Sequence, residues 1–330
     1  MRAYIFRRLL LLIPTVFLVT FIIFLLVRLV PGSVIDMMAA EQTRLGGAAV
    51  ELDSAAIKQA LGLDVPVHVQ YGRWIGVVPG ADGSFSGIFQ GDLGNALWGG
   101  APVLDMIAFR WPVTLELGLL GLIVAQLIAL PIGIFSALRQ DTWGDYIGRS
   151  FAIMCIAIPG FWLATLVIVF ASLWWGWSPP LRFIPFTEDP IGNLRMFIIP
   201  AIVLGMAMSG ITMRMTRSMM LEVLRQDYIR TAWAKGLRER AVVLRHALKN
   251  ALIPVITMVG LQIPIIIGGA VIIEQIFGLP GMGRLLLNAI TERDYTVVQG
   301  AMLVFAGGVM LTNLMIDLTY SFLDPRVHYR

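Results

Sequence analysis

Two carboxylates and one dense group of cations are the residues whose types and placement could do chemistry in an otherwise hydrocarbon-like sequence. Glu116 lies early in one apolar run and Glu274 at the end of another. A carboxylate taken out of water costs several kcal/mol unless it is paired or hydrated. Each is therefore a candidate either for contact with a polar molecule crossing a membrane or for a structural ion pair. Arg284 is near enough in sequence to serve as a counter-charge for Glu274. The cations are Arg214, Arg217, Arg225, Arg230, Lys235, Arg238, Arg240, Arg245 and Lys249, set against Glu222, Asp227 and Glu239 within residues 211–252. No H-E-x-x-H, nucleophile elbow or Walker A sequence occurs, and the glycine-rich run 278–283 lacks the Lys-Ser/Thr that a phosphate loop ends on. Cys155 has no partner for a disulfide, and His68, His246 and His328 are too far apart to suggest a zinc site. Neither a catalytic constellation nor a bound cofactor or metal is expected of this chain.

Apolar residues make up 58% of the sequence and charged ones 14%, with a mean hydropathy of +0.80. A soluble fold this poor in charge would expose a very large apolar area to water, so the chain belongs in a bilayer. Its net charge of +4 and pI of about 9.5 do not point to nucleic acid, because the positive excess is local to the basic segment and the N-terminus.

Six apolar runs are long enough to cross: 9–27, extended to 30, then 113–135, 151–173, 196–213, 251–273 and 297–322. The third is interrupted by Pro159-Gly160. Arg2, Arg7 and Arg8 precede the first run, which exceeds the usual length of a signal-peptide core and lacks a prompt cleavage site. Six crossings place both ends in the cytoplasm, in keeping with Arg326 and Arg330. The organisation expected is residues 1–30 as the cytoplasmic end and first span, 31–112 as an extracytoplasmic loop subdomain, 113–322 as a five-helix core that includes the cytoplasmic segment 214–250, and 323–330 as a tail. The 31–112 region carries eight acidic residues against Arg44, Lys58, Arg73 and Arg110, the opposite balance to the basic segment. Within it, residues 55–63 read as helical, 66–75 as a short amphipathic piece and 79–86 as a turn-rich link. Trp174, Trp175 and Trp177 suit an interfacial belt better than a ligand cage.

The basic segment reads as a helix over 219–235, with i,i+3 pairs Glu222–Arg225 and Asp227–Arg230, an interruption at Gly236 and a second helix over 239–248. Ala232 and Gly236 are small and four apart, a spacing that lets a partner come close to the backbone. Two uses fit these residues equally: a force-receiving helix seated in a cytoplasmic partner, or an amphipathic helix on anionic headgroups.

The order Arg230-Thr231-Ala232-Trp233-Ala234-Lys235-Gly236-Leu237, followed by Leu244-Arg245-His246-Ala247-Leu248-Lys249, resembles the EAA loop of ABC importer permeases. Ala232, Gly236 and Leu248 match its pattern. Arg230, Thr231, His246 and Lys249 stand where Glu, Ala, Ile and Pro are usual, as in the peptide/nickel branch. The resemblance extends through Arg7-Arg8, Pro14-Thr15, Pro31-Gly32, Gly91-Asp92-Leu93-Gly94, Pro112-x-Thr114-Leu115-x-Leu117, Gly268-Gly269 with Glu274, Phe277, Pro280-Gly281-x-Gly283-Arg284-Leu285, Arg293-Asp294-Tyr295 and Asp324-Pro325-Arg326. Ser33 departs from a usual acidic residue.

The chain thus resembles the B-type permease of dipeptide/oligopeptide/nickel importers. The resemblance implies an all-α, polytopic fold of the type I importer kind with six transmembrane helices, in a bacterial inner membrane. It also implies a homologous second permease, two cytoplasmic ABC ATPase subunits or domains that carry ATP-Mg, and an extracytoplasmic solute-binding protein. Short peptides lead as cargo, ahead of nickel chelates, glutathione and opines. Coupling to the ATPases is expected at Tyr228, Thr231, Ala232, Lys235, Gly236, Leu237 and Leu248, and the translocation pathway at Glu116 and Glu274. Membrane lipid is the surrounding partner. An ion-coupled secondary transporter is the rival class, although no internal repeat or mid-membrane coupling carboxylate is evident.

Overall fold

The computed structural model describes residues 2–29, 64–180 and 182–323. The helix expected over 55–63, Pro31-Gly32, Ser33, and the tail with Asp324-Pro325-Arg326 and Arg330 lie outside the described residues. Among the described residues every regular element is a helix, with one isolated bridge between Asn95 and Pro102. The main helices are α1 (Arg2–Leu29), α2 (Val67–Ile75), α3 (Val103–Leu138), α4 (Trp143–Ala157), α5 (Gly160–Trp175), α6 (Pro190–Leu224), α7 (Asp227–Ala234), α8 (Leu248–Phe277), α9 (Met282–Thr291) and α10 (Tyr295–Leu323). The fold is that of an all-α polytopic membrane protein.

Among the described residues, five stretches are unbroken, long and apolar enough to cross a bilayer: Phe6–Leu29, Val103–Leu138, Pro190–Leu224, Glu239–Pro264 and Tyr295–Leu318. The third expected span is a bent pair instead, α4 and α5 meeting at 98°. The cause is local: Ile158, preceding proline, takes an extended conformation, and Pro159 caps α5 from outside the helix. A second bent pair, unforeseen from hydropathy, joins the end of α8 to α9 at 81°.

The chain divides into two compact units. In the unit of Phe6–Arg110 and Leu285–Gly307, α2 lies on α1 through Tyr71. That ring meets Phe17, Phe21 and Phe24 edge-on at centroid distances of 5.8, 5.6 and 5.1 Å, and its hydroxyl is 2.9 Å from Thr20 Oγ1. Asp294 accepts hydrogen bonds from the N–H of Val297 in the first turn of α10 (3.1 Å) and from that of Leu97 (2.8 Å), which anchors the loop before α3 on a helix start.

In the unit containing Trp111–Arg284, the core runs along α3, α6 and α8 and includes Val113, Leu117, Phe197, Val203, Ile266, Ile273 and Phe277. Backbones come close where glycine permits it: a Cβ added at Gly205 of α6 would sit 2.7 Å from the Gly121 carbonyl of α3.

A candidate coupling surface and two membrane carboxylates

The basic segment does not form the single helix expected over 219–235. α6 ends at Leu224, Arg225 and Gln226 close it with short-range bonds to the carbonyls of Glu222 (3.3 Å) and Val223 (3.1 Å), and Gln226 turns extended before α7 begins. The Glu222–Arg225 spacing therefore falls at this break, whereas Asp227 and Arg230 keep their pair at 3.4 Å on the exposed side of α7. α7 ends where Gly236 takes φ +73, in the left-handed region that suits glycine, and its N–H bonds the Trp233 carbonyl at 2.9 Å.

The second helix expected over 239–248 continues without interruption into the following span. It runs from Glu239 to Phe277 with a π-helical segment at Val242–Ala247. The wider π turn brings residues five apart onto one side, so Val242, Val243 and Ala247 are all buried. Against them pack Ile229 and Ala232 of α7, Met220 of α6 and Ala137 of α3, joined at the edge by Leu248. Burying a side chain the size of Ile229, which is 0% exposed, stabilises the arrangement by roughly 1.5–3 kcal/mol. α7 is thus clamped to its own chain through one face.

The seven residues expected to couple divide accordingly. Ala232 and Leu248 belong to the internal cluster, so the small face imagined for a partner is partly turned inward. Tyr228, Thr231, Lys235, Gly236 and Leu237 are exposed, as are Trp233, Arg230 and Arg238. Trp233, at 44% exposure, belongs on that surface and was not singled out from sequence. Thr231 Oγ1 donates to the Asp227 carbonyl at 3.0 Å, back-bonding along its own helix.

Glu116 and Glu274 take different hydrogen-bond partners. Glu274 is fully buried and accepts from Thr114 Oγ1 at 2.5 Å and from the backbone N–H groups of Gly283 (2.8 Å) and Arg284 (3.2 Å). Thr114 Oγ1 in turn accepts from the N–H of Met282 at 2.8 Å, so a carboxylate and a hydroxyl together hold the start of α9. The expected charge pairing with Arg284 takes another form: the guanidinium donates to the Gly278 carbonyl at 2.8 Å, and only the backbone of Arg284 meets Glu274. Gly281 makes room for the carboxylate, which a Cβ there would overlap. Glu116, half-buried, lies two residues beyond Thr114 on α3 and meets Asn193 Nδ2 of α6 at 3.4 Å. Sequence separations of 160 and 77 residues hid both partnerships.

The chain matches the family described as "Binding-protein-dependent transport system inner membrane component" over residues 129–329, and its N-terminal counterpart over residues 1–118. It is 40% identical over 329 residues to a protein of Brucella suis biovar 1 named "Putative peptide transport system permease protein", with 100% of both chains covered. It is 37% identical over 327 residues to the glutathione transport system permease protein of Salmonella paratyphi A, with 99% of each covered.

Proposed function

The chain belongs to the inner-membrane component family of binding-protein-dependent transport systems, as an ABC importer permease, and from that premise we propose that it imports short peptides. The observation that carries the cargo is the full-length similarity to a peptide transport permease, and glutathione is the second cargo class because a relative of comparable identity is named for it. The permease pairs with a homologous second permease to line the path. Two cytoplasmic ATPase subunits supply the energy, and an extracytoplasmic binding protein delivers the solute. Both ends of the chain lie in the cytoplasm.

The exposed face of α7, from Tyr228 through Thr231 and Lys235 to Gly236 and Leu237, receives the ATPase. Ala232 and Leu248 fix that face on the helices behind it. Because α7 is clamped to the inner ends of α3, α6 and the helix leading into α8, closure of the ATPases moves these helices together. This tilts the crossings and switches access from one side of the membrane to the other. Glu116 is the carboxylate placed to meet passing cargo, and Glu274 shapes the turn that borders the outer end of the path.

The test is peptide uptake and peptide-stimulated ATP hydrolysis in vesicles containing the complete complex. Binding-protein-dependent uptake that requires ATP is the expected result. Uptake by this chain alone, driven by an ion gradient and indifferent to the ATPases, would overturn the reading.

A further inference from the structure

Asp145, in the first turn of α4, is 0% exposed and takes both oxygens into contact with Arg217 of α6. Arg217 Nε donates to Oδ1 at 2.7 Å and Nη2 to Oδ2 at 2.6 Å, a two-point fork. The same carboxylate accepts from the backbone N–H of Asp141 at 3.1 Å. Asp141 sits in the turn between α3 and α4 with φ +61, a left-handed conformation that an L-residue adopts at a cost. Three pieces therefore meet on one carboxylate: the α3–α4 turn, the start of α4, and α6 two turns before its end. Beyond the pair α4 rides close on α6, since a Cβ at Gly210 would lie 2.7 Å from the Ala152 carbonyl.

We propose that Asp145 and Arg217 are a positioning pair for transport, transmitting the displacement of the α6 base to the α3–α4 turn and the bent α4–α5 pair. This rests on the coupling role proposed for α7. Two properties single the pair out. A buried ion pair generally stabilises no more than well-packed apolar residues of the same volume, so stability alone does not call for one here. A bidentate guanidinium–carboxylate contact fixes both rotation and translation, whereas apolar side chains allow neighbouring helices to slide. α6 joins α7 through only Arg225 and Gln226, so a push at α7 arrives at α6 directly. The fork makes α4 follow it.

The test uses the complete complex in vesicles, with D145L/R217M as an apolar replacement and R217K as a variant that keeps the charge but loses the fork. Assembly and thermal unfolding are measured first, then solute imported per ATP hydrolysed. The double variant is expected to assemble with near wild-type thermal stability while import per ATP falls at least about fivefold, and R217K to fall between it and wild type. Spin labels at Ser150 and Ser218 should keep a constant separation through the nucleotide cycle in wild type and change it in the double variant. Wild-type import per ATP in D145L/R217M would overturn the proposal, as would losses that track failed assembly in both variants. A wild-type complex that imports without ATP would overturn the coupling reading and this inference with it, a result distinguishable because it appears before any substitution.

Discussion

The Asn250 side chain donates to the Tyr228 hydroxyl at 2.8 Å, tying the first turn of α7 to the first turn of α8 at a sequence separation of 22. Asn250 Nδ2 also reaches the His246 carbonyl at 3.2 Å, so the amide bridges the π segment as well. The bond is exposed, and its net worth is about 0.5–1.5 kcal/mol. Its value is orientational, because it sets the angle at which α7 presents its outer face. Y228F keeps the ring and removes the hydroxyl; N250A removes the donor. Each is expected to lower ATP-coupled uptake about two- to tenfold while leaving assembly intact, an effect of the size of one such hydrogen bond. The double variant should do no worse than the poorer single, since both remove one contact. Uptake measured across this cycle of four proteins checks it, and fully multiplicative losses would mean that the residues act apart.

Gly236 separates two demands that sequence spacing had merged. Its φ of +73 calls for glycine on conformational grounds, while the space around it is open, with nothing within 4 Å of an added Cβ. G236A should therefore cost about 1 kcal/mol in local backbone strain and leave binding to the ATPase largely intact. G236W should add a steric block on the exposed side and abolish coupled ATP hydrolysis. Co-purification of the ATPase with each variant discriminates the two demands. Equal loss in both would reduce the position to its backbone conformation.

Much of the architecture was legible because it depends on quantities a sequence displays. Run length and hydropathy located the crossings, and Pro159-Gly160 marked the break in the third. Its 98° angle was not legible, since proline dictates that a helix stops and packing dictates where the next one points. The bend between α8 and α9 escaped for a related reason: it is held by Glu274, whose partners Thr114, Gly283 and Arg284 include two backbone groups that no side-chain pattern reports. The pairing of Asp145 with Arg217 was not legible, because the two lie 72 residues apart. The residues expected to couple were named through the family resemblance, and five of the seven, Tyr228, Thr231, Lys235, Gly236 and Leu237, are exposed. That Ala232 faces inward follows from the π segment, which shifts the buried side of the returning helix off the ordinary 3.6-residue period.

Asp92, in the loop between α2 and α3, gives a pH dependence that can be worked out. The Ser86 hydroxyl, and after it the Gly94 N–H at 2.8 Å, hold its carboxyl below the usual aspartate range. A folded-state pKa depressed in this way contributes stability that is present above the unfolded-state value and lost as pH falls through the folded one. The loop over residues 86–94 should therefore loosen only on strong acidification, below the ordinary aspartate value of about 4. Hydrogen exchange at the Gly94 amide, corrected for the intrinsic pH dependence of exchange, should show protection falling across that window. D92N should remove the dependence. Protection that persists in D92N with the same acid profile would assign it to another group.

Glu274 and Thr114 make the sharpest stability prediction. Removing the carboxylate leaves Thr114 Oγ1 and the N–H groups of Gly283 and Arg284 without their acceptor in a buried site. Each stranded donor costs about 1–3 kcal/mol, so E274A should destabilise the purified permease by about 3 kcal/mol or more. T114V keeps the shape but strands the Met282 N–H and one carboxylate oxygen, for a smaller loss of about 1–3 kcal/mol. The double variant should lose less than the two singles added together, because both act on one network. E274Q is informative in another way: with its amide oxygen on the N–H groups of Gly283 and Arg284, its NH2 faces Thr114 Oγ1 and the threonine hydroxyl loses its acceptor, so it should destabilise, though less than E274A, while being neutral and nearly the same size. Thermal unfolding in lipid nanodiscs reads all four. Were E274Q to keep wild-type stability and alter only which peptides are imported, Glu274 would be a cargo contact rather than the residue that holds the start of α9.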